Sequence, residues 1–206
     1  MSAVLELTET STKIEKNGNQ VFVKKPHLIT VKTYDLMVQH GILTEIDNVE
    51  LLNGEIIDKM PKGTKHSAIR RFITKFFYRI LEDSIVIQIQ DPIVLDDLSE
   101  PEPDVVLAKF DENGYTEKHP SAKDILLIIE VSDTTLYFDR KDKGEAYSRA
   151  GINQYLIVNV ANNTIEDYRQ PSDDGFQLKQ THKIGDSFTL VAFSEIEIKV
   201  TDFFQK

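Results

Sequence analysis

Cysteine is absent from this chain, which excludes a disulfide framework and every cysteine-ligated zinc or iron–sulfur site. Positive charge is scarce: 24 Lys and Arg stand against 34 Asp and Glu, a net charge of −10, so nonspecific attraction to polyanions is disfavoured. No apolar run approaches the ~20 residues that span a bilayer. Met1–Glu15 has neither a basic head nor an apolar stretch of the kind that directs export. A soluble, cytoplasmic protein with no membrane attachment is the expectation. Repeats and low-complexity tracts are also lacking, so the 206 residues are expected to form one domain over 25–206. A polar, flexible arm is expected at 1–24, where no hydrophobic period is sustained.

Charge, where present, is segregated. Lys62, Lys65, Arg70, Arg71, Lys75 and Arg79 fall between Met60 and Leu81 without an intervening acid, and Asp91, Asp96, Asp97, Glu100, Glu102 and Asp104 follow. Ile69, Phe72, Ile73, Phe76, Phe77, Ile80 and Leu81 recur at helical spacing, which predicts the main core helix over His66–Leu81. Arg71, Lys75 and Arg79 then form a stripe opposite its apolar face, expected to face solvent, with phosphate tracking as the alternative. Upstream, Thr33 reads as the cap of a short helix stopped by Gly41. Asn53-Gly54 between two apolar runs predicts a tight hairpin. Strands are expected at Ile85–Gln90, with Pro92–Leu95 extending it after a kink, and at Asp104–Ala108. Strand 125–131, a helix over Asp139–Ala150 and strand Tyr155–Val160 form a crossover with parallel strands. Thr164–Arg169 and Phe176–Ile184 read as a hairpin, and alternation at Ile196, Ile198 and Val200 as a closing strand. The fold class is mixed α+β (α/β-like): a sheet core flanked by helices, with an N-terminal β-hairpin and a C-terminal antiparallel extension.

Within that frame Glu130 is out of place. It closes the run Ile125-Leu126-Leu127-Ile128-Ile129-Glu130-Val131, which has the continuous apolar character of a strand covered on both faces, where a lone carboxylate is expensive and normally pairs or holds a metal. Pro103 lacks a donor and suits a strand start, which puts Asp104 at the lip of the sheet. If the two strands are neighbours, both carboxylates reach one hard divalent cation. A lysine beside it, Lys143 or Lys141, would supply charge to a developing phosphorane. Asp139, Lys143 and Tyr147 share a helix face by spacing.

Pro103-Asp104, Glu130-Val131-Ser132, Asp139-x-x-x-Lys143-x-x-x-Tyr147 and Ala150-Gly151-Ile152-x-x-Tyr155-Leu156-Ile157-Val158 together resemble the bacterial Uma-two family of restriction-endonuclease-like proteins, within the PD-(D/E)XK nuclease superfamily. Glu50-Leu51-Leu52-Asn53-Gly54-Glu55-Ile56 and the Pro61–His66 segment add to the resemblance, which runs from about Thr30 to Phe204. It implies magnesium-dependent cleavage of phosphodiester bonds, with manganese able to substitute. It also implies Asp104 and Glu130 as metal ligands, Glu50 as a further ligand, and Lys143 as the catalytic lysine on a helix, because the superfamily's usual lysine position is Ser132 here.

His66, at the edge of its helix's apolar face, has two open roles, a partner to a backbone carbonyl or a support beside the metal; Asp139 and Tyr147 are either such supports or an exposed pair of Asp139 with Lys143 beside a packed Tyr147 ring. DNA is the expected partner, and a homodimer is compatible with cutting two strands. The alternative is a catalytically silent nuclease fold that binds nucleic acid or protein; a hydrolase of small phosphate esters is a third reading.

Overall fold

The structure is a computed structural model, and it describes residues 11–16, 19–24, 26–81 and 84–204. Within the segment expected to be an arm, β1 (Ser11–Lys16) and β2 (Asn19–Lys24) pair antiparallel as a separate ribbon; residues 1–10 lie outside the described residues. Helix α1 (Val31–Gln39) follows. Its cap is Thr30, whose hydroxyl accepts from the Thr33 N–H at 3.2 Å, and not Thr33 itself. Strands β3 (Val49–Leu52) and β4 (Glu55–Asp58) form the Asn-Gly hairpin. Asn53 and Gly54 take φ of 53° and 79°, the paired left-handed conformation that matches strand twist in a two-residue turn.

Helix α2 (Thr64–Leu81) leads into a six-stranded sheet made of β5 (Ile85–Gln88), β6 (Val105–Lys109), β7 (Ile125–Ser132), β8 (Gln154–Asn159), β9 (Thr164–Arg169) and β10 (Leu178–His182). The spatial order is β10-β9-β8-β7-β6-β5. Every neighbouring pair is antiparallel except β7 and β8, which are parallel, as their intervening helical segment requires. That segment comprises α3 (Leu136–Phe138), a π-helical turn (Asp139–Lys143) and α4 (Gly144–Arg149). It starts earlier than spacing predicts, and the Gly144 N–H reaches back to the Asp139 carbonyl, the five-residue step of a π turn. The closing strand β12 (Glu197–Lys199) pairs with β11 (Ser187–Thr189), which alternation did not reveal, and α5 (Val200–Phe203) follows. Pro92–Leu95 makes only an isolated bridge from Val94 to Ser121 and does not extend β5.

Alternate residues of β6 and β7 serve two cores. Val105, Leu107, Leu127, Ile129 and Val131 meet Ile69, Ile73 and Phe77 of α2, while Val106, Ile128 and Ile157 meet Ala146 and Tyr147 of α4. Coverage on both faces is why β7 has no polar residue before Glu130. Phe77 also makes edge contacts with Phe76 and Phe203 at 5.3 and 5.8 Å between ring centroids; truncating such a fully buried ring to alanine costs about 3–5 kcal/mol. Both layers anchor at the end of β7, and there the polar residues gather.

Candidate active site

Antiparallel pairing of Val105 with Ile129 places Asp104 beside Glu130, just beyond that pair at the same end of the sheet. The two are tied reciprocally: the Asp104 N–H donates to Glu130 Oε2 at 3.2 Å, and the Val131 N–H donates to Asp104 Oδ2 at 2.9 Å. The condition set by the sequence, neighbouring strands with both acids at one end, is met. His66, from the first turns of α2, places Nε2 2.9 Å from Asp104 Oδ2, so its partner is a carboxylate and not a backbone carbonyl. Gln90 donates to Asp104 Oδ1 at 3.0 Å. It does so from a left-handed backbone with φ of 59°, a conformation that costs a non-glycine residue about 1 kcal/mol and is retained only when the surroundings fix it.

The crossover supplies the other side. Lys143 Nζ lies 2.9 Å from Glu130 Oε1 and 3.1 Å from Glu50 Oε1, and the Tyr147 hydroxyl donates to Glu130 Oε1 at 2.8 Å. Glu50, on β3, is buried, and its other oxygen accepts the Glu102 N–H at 2.9 Å. Asp139 accepts hydrogen bonds from the hydroxyls of Ser132 and Thr135, and its carbonyl accepts from Tyr155 at 3.0 Å. All seven residues singled out from the sequence therefore lie at this one point. Lys141, the rival lysine, is instead exposed over the Tyr137 ring at 5.9 Å.

Charge in this cluster is unbalanced. Glu50, Asp104, Glu130 and Asp139 are all buried, with Lys143 as the one buried ammonium among them. Burial pushes Glu130 up to about 8; Lys143 opposes the shift, and Asp104, Asp139 and Glu50 add to it. Burial likewise raises Asp139 against the pull of Lys143 and its two hydroxyl donors. Burial also disfavours the charge on Lys143, but Glu130, Glu50 and Asp139 outweigh it and hold this lysine above its ordinary value. For Asp104, burial is outweighed by the hydrogen bond and charge of His66 and by the Val131 N–H, so its carboxyl is held below the usual range.

Residues of the cluster line a cleft of about 570 Å³ together with Lys59–Gly63, Thr134, Thr135, Tyr137 and Phe138. Lys59 pairs with Glu102 at 2.5 Å. Lys62 lines the same cleft as Asp104; burial lowers its pKa, and Asp104 pulls the other way.

A hard divalent cation suits the donors here. Each carboxylate oxygen offers about two acceptor sites, and Asp104 Oδ1 and Glu130 Oε2 each receive a single hydrogen bond, leaving acceptor capacity on both. Among the described residues no three His, Asp or Glu side chains surround a common ion position. Water and substrate oxygens would therefore have to complete the shell of any ion that Asp104 and Glu130 held. Glu50 and Glu130 are bridged by the Lys143 ammonium.

Gln90 and Lys62 were not evident from sequence: one belongs to a strand end without a motif, and the other looks like one more surface lysine. Ser132, which reads as a loss of charge, is instead the donor that orients Asp139.

A family described as "Putative restriction endonuclease" (Uma2) matches residues 34–201. Among solved structures, a protein titled "putative nuclease belonging to DUF820 from Anabaena variabilis" is similar in fold, with a TM-score of 0.66 and 19% identity over 85% of this chain and 97% of that one. No curated protein matches.

Proposed function

This chain belongs to the Uma2 family of restriction-endonuclease-like proteins, and from that premise we propose that it is a magnesium-dependent endonuclease hydrolysing phosphodiester bonds in DNA. The observation that carries this reading is the facing of Asp104 and Glu130 across neighbouring strands, with spare acceptor capacity on both and Lys143 2.9 Å from Glu130. Asp104 and Glu130 are the residues that would hold the ion. When bound, magnesium offsets charge on phosphoryl oxygens and lowers the pKa of a bound water.

The protein's own groups do the rest. Lys143 is kept protonated by the acids around it and held in place by two carboxylates, so its charge needs no reorganisation as the phosphate gains charge. His66 and Gln90 each fix one oxygen of Asp104, and Tyr147 fixes Glu130. Lys62, in the cleft wall near Asp104, is placed to draw a phosphate inward. Ser132 in the usual lysine position favours a silent member of the family, but the contact between Lys143 and Glu130 supplies from the helix the charge that Ser132 lacks.

The test is nicking of supercoiled plasmid with magnesium or with chelator, by the wild type and by Glu130→Gln purified identically. Metal-dependent nicking lost in the variant supports the reading, and equal activity in both overturns it.

A further inference from the structure

Arg71, Lys75 and Arg79 are exposed on the outer face of α2, as their spacing predicts. Arg70, Arg71, Thr74, Lys75, Tyr78 and Arg79 line, with Ile89 just beyond β5, a second groove of about 440 Å³, and among the described residues its wall has no acid. Four cations in one groove are conspicuous in a chain with a net charge of −10. Among the described residues Arg70, Arg71 and Lys75 make no ion pair, and the buried Nη1 of Arg70 has no hydrogen-bond partner. That Nη1 is sealed from solvent, so it is the exposed and unpaired Arg71 fork that is suited to phosphate oxygens.

The groove also leads back to the candidate site. Lys62, His66, Arg70, Thr74 and Tyr78 follow one another at four-residue steps, all but Lys62 within α2, so Arg70 lies one turn from the histidine bonded to Asp104. At 1.5 Å per residue the line from His66 to Arg79 covers about 20 Å, or about six nucleotide steps at ~3.4 Å of rise per strand.

We propose that this groove is a binding site for the nucleic-acid backbone, tracking the phosphates of a strand that leaves the cleft past Lys62 and runs along α2. The proposal rests on the nuclease reading for its direction. It differs from that reading in assigning affinity to a surface remote from Asp104 and Glu130. An acidic chain repels a polyanion over most of its surface, so binding concentrates at this basic face. Tyr78, 54% exposed, adds an aromatic surface to the groove wall.

The experiment is fluorescence anisotropy with a fluorescein-labelled 20-base-pair DNA duplex in chelator, across a salt series, using the full chain. The Arg71→Ala/Lys75→Ala/Arg79→Ala variant is compared with wild type and with a charge-matched Lys32→Ala/Lys183→Ala/Lys199→Ala control, with thermal melts for all three. The groove variant is expected to bind at least about tenfold more weakly and to show a salt slope shallower by about 2–3, near 0.9 for each phosphate that is no longer neutralised. Unchanged affinity and slope, or an equal loss in the control, overturns the proposal. Plasmid nicking is scored separately: binding lost with the groove while no protein nicks keeps the site and rejects the nuclease reading, and nicking with unchanged binding does the reverse.

Discussion

Asp104 and Glu130 hold each other through the backbone: each carboxylate accepts an N–H from the other's strand, at 3.2 Å from Asp104 and 2.9 Å from Val131. Their separation is thus set by the β6–β7 ladder and not by side-chain rotamers, which is the rigidity that a preorganised ion site requires. A manganese-soaked crystal is expected to show density between Asp104 Oδ1 and Glu130 Oε2, with oxygens ~2.0–2.6 Å from the ion. Density elsewhere in the cleft, with none at this point, rejects the assignment.

Glu130→Gln keeps the shape of this side chain and removes a charge that burial and three acids disfavour. Lys143 retains Glu50 at 3.1 Å, so the variant is expected to melt at or above the wild-type temperature while metal-dependent nicking disappears. A large fall in melting temperature contradicts this account of the cluster.

The two candidate lysines separate cleanly. Lys143→Ala should slow single-turnover cleavage by ~100-fold or more, the scale of one absent preorganised donor, and should also lower stability because Glu130 and Glu50 are left buried without their cation. Lys141 is exposed and lies over Tyr137, so Lys141→Ala should change neither quantity much. Similar small effects from both would assign Lys143 a purely structural part.

Acid stability should depend on Glu166. Burial opposes its charge, but hydrogen bonds from Arg140, Lys179 and Tyr168 pull it from the ordinary 4.5 down to about 2. A depressed folded pKa gives stability that is complete above the unfolded pKa and is lost as pH falls from about 4.5 towards about 2. Glu166→Gln should therefore destabilise by about 1.5–3 kcal/mol at neutral pH, the size of a charge-assisted hydrogen bond. The gap from wild type should narrow through that acid window, as followed by melts at stepped pH.

Glu100 carries the opposite sign. Burial, with Asp35 and Glu102 nearby, pushes it up to about 7, and its Oε2 has no hydrogen-bond partner among the described residues. A folded pKa above the unfolded one means that stability is greatest in acid and declines as pH rises from about 4.5 through about 7. Glu100→Gln is expected to raise the melting temperature at pH ~8 and to leave it nearly unchanged at pH ~5, on either side of that window. A pH-independent gain would point to packing and not to charge.

Periodicity and chemistry made much of this arrangement readable beforehand. The Asn53-Gly54 hairpin, the core helix, the doubly covered β7 and the parallel partner β8 follow from turn chemistry and apolar spacing, and Glu130 stands out because a charge interrupts an otherwise apolar strand. Glu50 was harder, since strand alternation beside Leu51 is equally compatible with solvent; its burial comes from a contact with the crossover 93 residues away at Lys143. The pairing of β11 with β12 left little local signal because the strands are three residues each. Gln90 escaped notice for the same reason that it matters: its left-handed backbone depends on tertiary contacts that no window of sequence contains.

The π-helical turn has a further consequence, for the evolution of this site by insertion and deletion. Asp139-x-x-x-Lys143-x-x-x-Tyr147 reads as ordinary four-residue spacing, yet a wide turn lies within it. Deleting one residue between Asp139 and Lys143 would close the wide turn to a regular one and leave the phase of the helix beyond it nearly unchanged, because the turn is where the extra residue is accommodated. Lys143 and Tyr147 would keep their direction towards Glu130, while Asp139 and Lys143 drew one residue closer in sequence. A lineage can therefore gain or lose one residue at this turn without taking the lysine out of reach of the sheet.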